Sequence, residues 1–118
     1  MPADENDGGK KASVAKGRAG QRLIGRLNPA LVRNAKPPPG KREQLFADGG
    51  NLYLATRRAE AGHVTRRWQF QYELNGTRRW MGLGPTHTIG LAEAREKARV
   101  ARQQLLDGID PLEAREAA

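Results

Sequence analysis

The stretch TRRWQFQYELNGTRRWMGL, residues 65–83, decides the fold. In its first half Trp68, Phe70, Tyr72 and Leu74 alternate with Arg67, Gln69, Gln71 and Glu73. Successive side chains of a strand point to opposite faces, so the spacing predicts a strand over 65–74 with one apolar face. Asn75-Gly76 follows. This dipeptide is the strongest short hairpin signal, because a type I′ turn needs positive φ at both central positions. The chain then returns as a strand over 77–83, with Met81 and Leu83 on one face and Arg78 and Trp80 on the other.

Working outward, 44–47 reads as a short strand and Asp48-Gly49-Gly50-Asn51 as a turn. Glycines allow positive φ there, and the flanking Asp and Asn are expected to bond locally to backbone. Residues 51–57 alternate again, with Leu52 and Leu54 opposite Tyr53, Ala55 and Arg57. A polar loop fills 58–63. Upstream, Asn28-Pro29 starts a short helix, since Asn caps well and proline tolerates the first helical position. Leu31 and Val32 are its expected buried residues, and Pro37-Pro38-Pro39-Gly40 stops it. Downstream, Leu91, Ala94, Ala98, Ala101 and Leu105 recur at helical spacing. Gly90 is the expected N-cap, Glu93–Lys97 an outward i,i+4 pair, and Asp107-Gly108-Ile109 a glycine stop. Asp110-Pro111 is read as an extended exit, and 112–118 as the start of a further helix.

The predicted class is α+β: a three- to four-stranded antiparallel sheet on one C-terminal helix, with a short N-terminal helix. One helix covers only one face of a sheet. The other face must meet water or a partner. It carries Tyr53, Arg57, Arg67, Gln69, Gln71, Arg78 and Trp80, with Glu73 as the acid among them.

Composition agrees with that asymmetry. The 118 residues carry 21 Lys+Arg and 13 Asp+Glu, a net charge of +8. Residues 21–90 hold twelve basic and four acidic side chains, so the whole excess lies there. All six aromatics fall between Phe46 and Trp80. A strongly basic domain is the electrostatic footprint of a nucleic-acid partner. Leu, Ile, Val and Phe make up roughly 18% of the chain, which leaves part of it outside a core. Residues 1–22 are the expected disordered tail. The absence of cysteine excludes disulfides and thiolate zinc sites. No apolar run is long enough to span a bilayer, and the first twenty residues lack the apolar core of a secretory signal. The expected location is therefore cytoplasmic.

Other chemistry is absent from the pattern. His63 and His87 stand alone, Ser13 is the only serine, and Asp48, Asp107 and Asp110 sit at turns or helix ends. No catalytic, metal-binding or cofactor-binding constellation emerges. What remains is the open face. Arginine can bond two acceptors of guanine and glutamine two groups of adenine. Lys41, Arg42, Arg58, Arg66 and Arg79 are the expected rim contacts to phosphates. Two other uses of the surface stay open here: docking of a neighbouring protein subunit, and stacking of single-stranded bases on Tyr53 and Trp80.

Taken in order, ALVRNAKP, LFADGGNLYL, RRWQFQYELNGTRRWMGLG and GLAEAREKARVARQQLLDGIDP resemble the N-terminal arm-DNA-binding domain of phage and genomic-island integrases, which are tyrosine recombinases. The resemblance runs from about Leu27 to Pro111. It implies a sheet that binds double-stranded arm-type sites in the major groove, within a longer integrase serving DNA integration and recombination. It also implies a bacterial, nucleoid-associated setting. Neighbouring integrase subunits, docked by the helix over 91–107 and the segment from Leu112, are the alternative partner, and no membrane or small-molecule substrate is expected. Residues 27–110 would form the arm-type domain, and 111–118 would begin a linker towards a core-binding and catalytic region. The family's nucleophilic tyrosine belongs to that other region, so Tyr53 and Tyr72 match sheet positions and this chain is expected to bind without cutting. Gly90 stands where the family usually has serine.

Overall fold

Asn75 (φ 53°) and Gly76 (φ 79°) both take positive φ, and Leu74 faces Thr77 across them. The predicted two-residue turn thus sets the register of the longest hairpin. The computed structural model describes residues 25–117, so the tail expected at 1–22 lies outside the described residues. In chain order the elements are α1 (Pro29–Asn34), β1 (Glu43–Gly49), β2 (Leu52–Arg58), β3 (Val64–Leu74), β4 (Thr77–Pro85), α2 (Leu91–Leu106) and α3 (Pro111–Ala117). The strands form one antiparallel sheet in sequence order, β1-β2-β3-β4. The fold is α+β, with four strands.

The helices cover the apolar face. Leu52, Leu54, Trp68, Phe70, Tyr72 and Met81 point from the sheet towards Ala94, Ala98 and Ala101 of α2, and Val32 of α1 closes one side. Alanines on the inner stripe let α2 approach the large rings of β3 closely. Leu31 does not join this core: it is 50% exposed, because the six-residue α1 buries only Val32. Asn28 caps α1 as predicted, its side chain accepting from the Leu31 N–H at 2.9 Å.

Strand β4 runs to Pro85, beyond the predicted end at 83, because a bulge lets it continue. Trp68 faces Gly84 while Gln69 faces Gly82, so Leu83 is the extra residue and joins the core edge. Gly84 has φ 129°, and a Cβ there would lie 2.7 Å from Ile89 Cγ1. Only glycine lets the loop before α2 fold back this tightly. The Ile89 carbonyl then accepts the buried Trp68 Nε1–H at 2.7 Å.

A second bulge sits between Ala47 and Gly49. Asp48 keeps the parity of Phe46 and so points inward, where it is 1% exposed. The carboxylate therefore does not bond within its own turn, as the sequence suggests. It accepts the Leu27 N–H at 2.8 Å and two bonds from Arg95 of α2, each 2.9 Å. That hydrogen bonding raises the Arg95 pKa above its ordinary value, with burial opposing.

Gly90 is the N-cap of α2 and supplies no side-chain bond. The exposed ion pair on this helix is Glu96–Arg99 at 2.8 Å, not the expected Glu93–Lys97. At the far end Gly108 N–H bonds to Leu105 O and Ile109 N–H to Gln104 O, the paired bonds of a Schellman stop. Asp110-Pro111 is not an extended exit. Asp110 caps α3, accepting the Leu112 N–H at 3.0 Å, and Pro111 takes the first helical position. Residues 111–117 thus form a helix whose Leu112 packs against the core.

Candidate nucleic-acid interface

The register of the sheet lays out its uncovered face as a grid. Glu43, Arg57 and Thr65 share one cross-strand row, and Leu45, Ala55, Arg67 and Pro85 share the next. Ala47, Tyr53, Gln69 and Gly82 follow, then Gln71 with Trp80, then Glu73 with Arg78. All seven residues singled out from the sequence, Tyr53, Arg57, Arg67, Gln69, Gln71, Arg78 and Trp80, lie on this face. Tyr53 and Trp80 meet across β3 edge to face, with ring centroids 5.4 Å apart. Gly82 adds no side chain beside them, and a Cβ there would meet nothing within 4 Å.

The arginines of the face differ. Arg57 lies 3.8 Å from Glu43, in a pair open to solvent on both sides. Arg78 is opposite Glu73 in the register. Among the described residues, neither an ion pair nor a side-chain hydrogen bond engages Arg67 or Arg78. Arg67 has Ala55 and Pro85 as its row neighbours, so no acid stands directly beside it. Beside it lies a concavity of about 540 Å³ lined by Leu45, Ala55, Arg57, Gln69 and Trp80 as well.

Three expected phosphate contacts are placed elsewhere. Arg79 pairs with Tyr72 in the register and so faces the helices, where its Nη1 lies 2.7 Å from Asp110 Oδ2. Tyr72 donates its hydroxyl to the other oxygen of that carboxylate. The Tyr72 bond, with help from the Leu112 N–H and Arg79, holds Asp110 below the usual carboxylate range despite burial. Burial first, and then the bond to Asp110, push the Tyr72 hydroxyl above its ordinary value. Arg58 and Arg66 donate to the carbonyls of Pro37 and Ala35, at 2.5 and 2.7 Å. Arg66 thus meets the C-cap carbonyl of α1, where cationic donors are favoured, and Arg58 ties down the proline run beyond it. These three side chains brace the fold. Lys41 and Arg42 are exposed on the loop that leads into β1.

Sequence reading missed what β1 adds to the face: Glu43, Leu45 and Ala47. The signal was the alternation of β1 itself, which needs the register across the bulge at Asp48 before it can be assigned to a side. Among the described residues, no group of acids and histidines could hold a metal, and no helix is long and apolar enough to cross a membrane.

A basic, aromatic, helix-free face on an antiparallel sheet backed by a C-terminal helix defines a nucleic-acid-binding class of small domain. The chain belongs to the arm DNA-binding domain family, whose pattern matches residues 27–118. It is 33% identical over 79 residues to the integrase of Shigella phage Sf6, an alignment taking in 67% of this chain and 20% of that protein. The same figures hold for the prophage integrase IntS of Escherichia coli strain K12. With the integrase of Enterobacteria phage P4 the identity is 32% over 88 residues, 73% of this chain and 19% of the relative. The chain therefore spans about a fifth of the length of these curated relatives.

Proposed function

We propose that the uncovered sheet face binds double-stranded DNA in the major groove at arm-type sites, as the arm-binding part of an integrase acting in DNA integration and site-specific recombination. The observation that carries this reading is the grid itself. Cationic, amide and aromatic side chains converge on one face, and among the described residues neither an ion pair nor a side-chain hydrogen bond engages Arg67 or Arg78. A major groove admits a β-ribbon, and its base edges offer the paired acceptors that guanidinium and amide groups match. Arg67, Gln69, Gln71 and Arg78 read base edges, Tyr53 and Trp80 pack on sugar or methyl groups, and Arg57 flanks them. Lys41 and Arg42 meet phosphates, while Arg58, Arg66 and Arg79 hold the scaffold. DNA cutting belongs to a different part of such an integrase, beyond residues 27–110, with the segment from 111 leading towards it.

Tyr53 and Trp80 spend contact surface on each other, which favours duplex binding over stacking of single-stranded bases. A test is titration of the labelled chain with arm-site duplex, followed by NMR. Amides of 67–71 and 78–80 are expected to shift while those of 91–106 stay in place. The reverse pattern would overturn the sheet-face assignment. Docking of another integrase subunit is the second reading. Leu106, 83% exposed, favours it together with Val100 and Ile109. Concentration-dependent dimers in sedimentation without DNA would support it.

A further inference from the structure

We propose that Leu45 is a specificity determinant of the open face, packing on the 5-methyl group of a thymine in the bound site. The inference rests on the reading of that face as DNA-binding and adds a residue and a base feature to it. Leu45 is 42% exposed on β1, an edge strand. Its row neighbour is Ala55, too short to cover it, and Arg67 stands one strand further on. Leu45 and Trp80 are the two large exposed apolar side chains on the sheet; the others lie on helices or beyond the Schellman stop. Both line the concavity that holds Arg67. Leu45 and Trp80 thus put apolar surface on the same concavity as Arg67, and the acid in its lining, Glu43, lies 3.8 Å from Arg57.

That chemistry matches one kind of surface in a major groove. Thymine presents a methyl group there, and guanine presents two acceptors that a guanidinium can bond together. Water gains nothing from an exposed leucine beside an arginine that no described residue pairs. A duplex edge carrying a methyl near a guanine satisfies both. Leu45 supplies no hydrogen bond, so it discriminates thymine only through the methyl group.

The experiment uses the whole 118-residue chain. Duplexes are selected from a random pool, and each thymine of the recovered consensus is replaced singly by deoxyuridine, which lacks only the methyl group. At one position the unsubstituted protein is expected to lose affinity about fourfold, the value of one buried methyl-sized group. Leu45→Ala should bind the thymine duplex more weakly and lose nothing further with deoxyuridine at that position. Leu45→Met should keep the discrimination. Equal losses in the unsubstituted protein and Leu45→Ala at every position, or no loss anywhere, would overturn the inference. Recovery of no consensus would instead remove the underlying sequence-specific reading. Thermal melting of Leu45→Ala should stay close to the parent, since the side chain lies outside the core cluster.

Discussion

The two faces of the sheet use the same residue type in opposite ways. On the covered side Arg79 and Arg95 grip inward-facing aspartates, and Arg58, Arg66, Arg102 and Arg115 donate to backbone carbonyls. On the open side Arg67 and Arg78 are engaged by nothing among the described residues, and Arg57 has only a solvent-exposed acid at 3.8 Å. An exposed pair of that kind is worth about 0–1 kcal/mol, whereas breaking a desolvated pair leaves a group unsatisfied at several times the cost. Charge alone therefore overstates how much of the chain is available to a partner. The difference lies in whether a carbonyl or carboxylate from a distant segment reaches each guanidinium.

The largest effect separates the faces by stability. Trp68→Ala removes a side chain that is 0% exposed, and with it the bond to Ile89. It should cost about 3–5 kcal/mol in urea unfolding. A loss below about 1 kcal/mol would mean that the covered face is not the core. Arg67→Ala is the mirror case. Its unfolding free energy in urea should stay within about 0.5 kcal/mol of the parent, while duplex affinity falls by about 1–3 kcal/mol and specificity relaxes at one base position. A weakening equal across all sequences would make Arg67 a phosphate contact instead.

A pH effect should appear on the covered face. Asp110 has a folded pKa below its ordinary 3.8, so its stabilising contribution is complete above that value and disappears as pH falls through the folded one. The melting temperatures of the parent and Asp110→Asn should therefore differ most near neutrality and converge in acid. Tyr72 acts in the opposite direction. Its raised pKa contributes stability below 10 that declines as pH rises beyond it. The smallest change is Glu43→Gln. Removing the acid beside Arg57 should alter stability by no more than about 0.5 kcal/mol and modestly strengthen duplex binding at low salt. Binding isotherms at two ionic strengths would show it.

Much of this was legible in the residues. Alternation placed Trp68, Phe70 and Tyr72 on the core side and Gln69 and Gln71 on the open side. Asn75-Gly76 fixed the hairpin, and the alanine stripe of α2 faced the sheet as spaced. What escaped was anything that depended on a bulge or on a distant partner. The bulge at Leu83 extends β4 and leaves no mark in period-two patterning, and the bond from Arg95 to Asp48 spans 47 residues and leaves none in any local window. Leu31 failed because one turn of helix has room to bury one side chain. Asp110-Pro111 looked extended in isolation, yet becomes a capped helix start once Tyr72 and Arg79 hold the aspartate in place.

The sequence by itself determined the strands, the long hairpin, the main helix and the face on which the residues of β2, β3 and β4 lie, because all of these follow from local periodicity and turn chemistry. Only the tertiary structure decided which arginines are spent on the scaffold. Arg79 meets Asp110 across 31 residues, Arg66 meets Ala35 across 31 and Arg95 meets Asp48 across 47. A guanidinium looks the same in every sequence window. Its role is settled by the carbonyl or carboxylate that chain folding brings within hydrogen-bond reach, and at Arg67 folding brings none from the described residues.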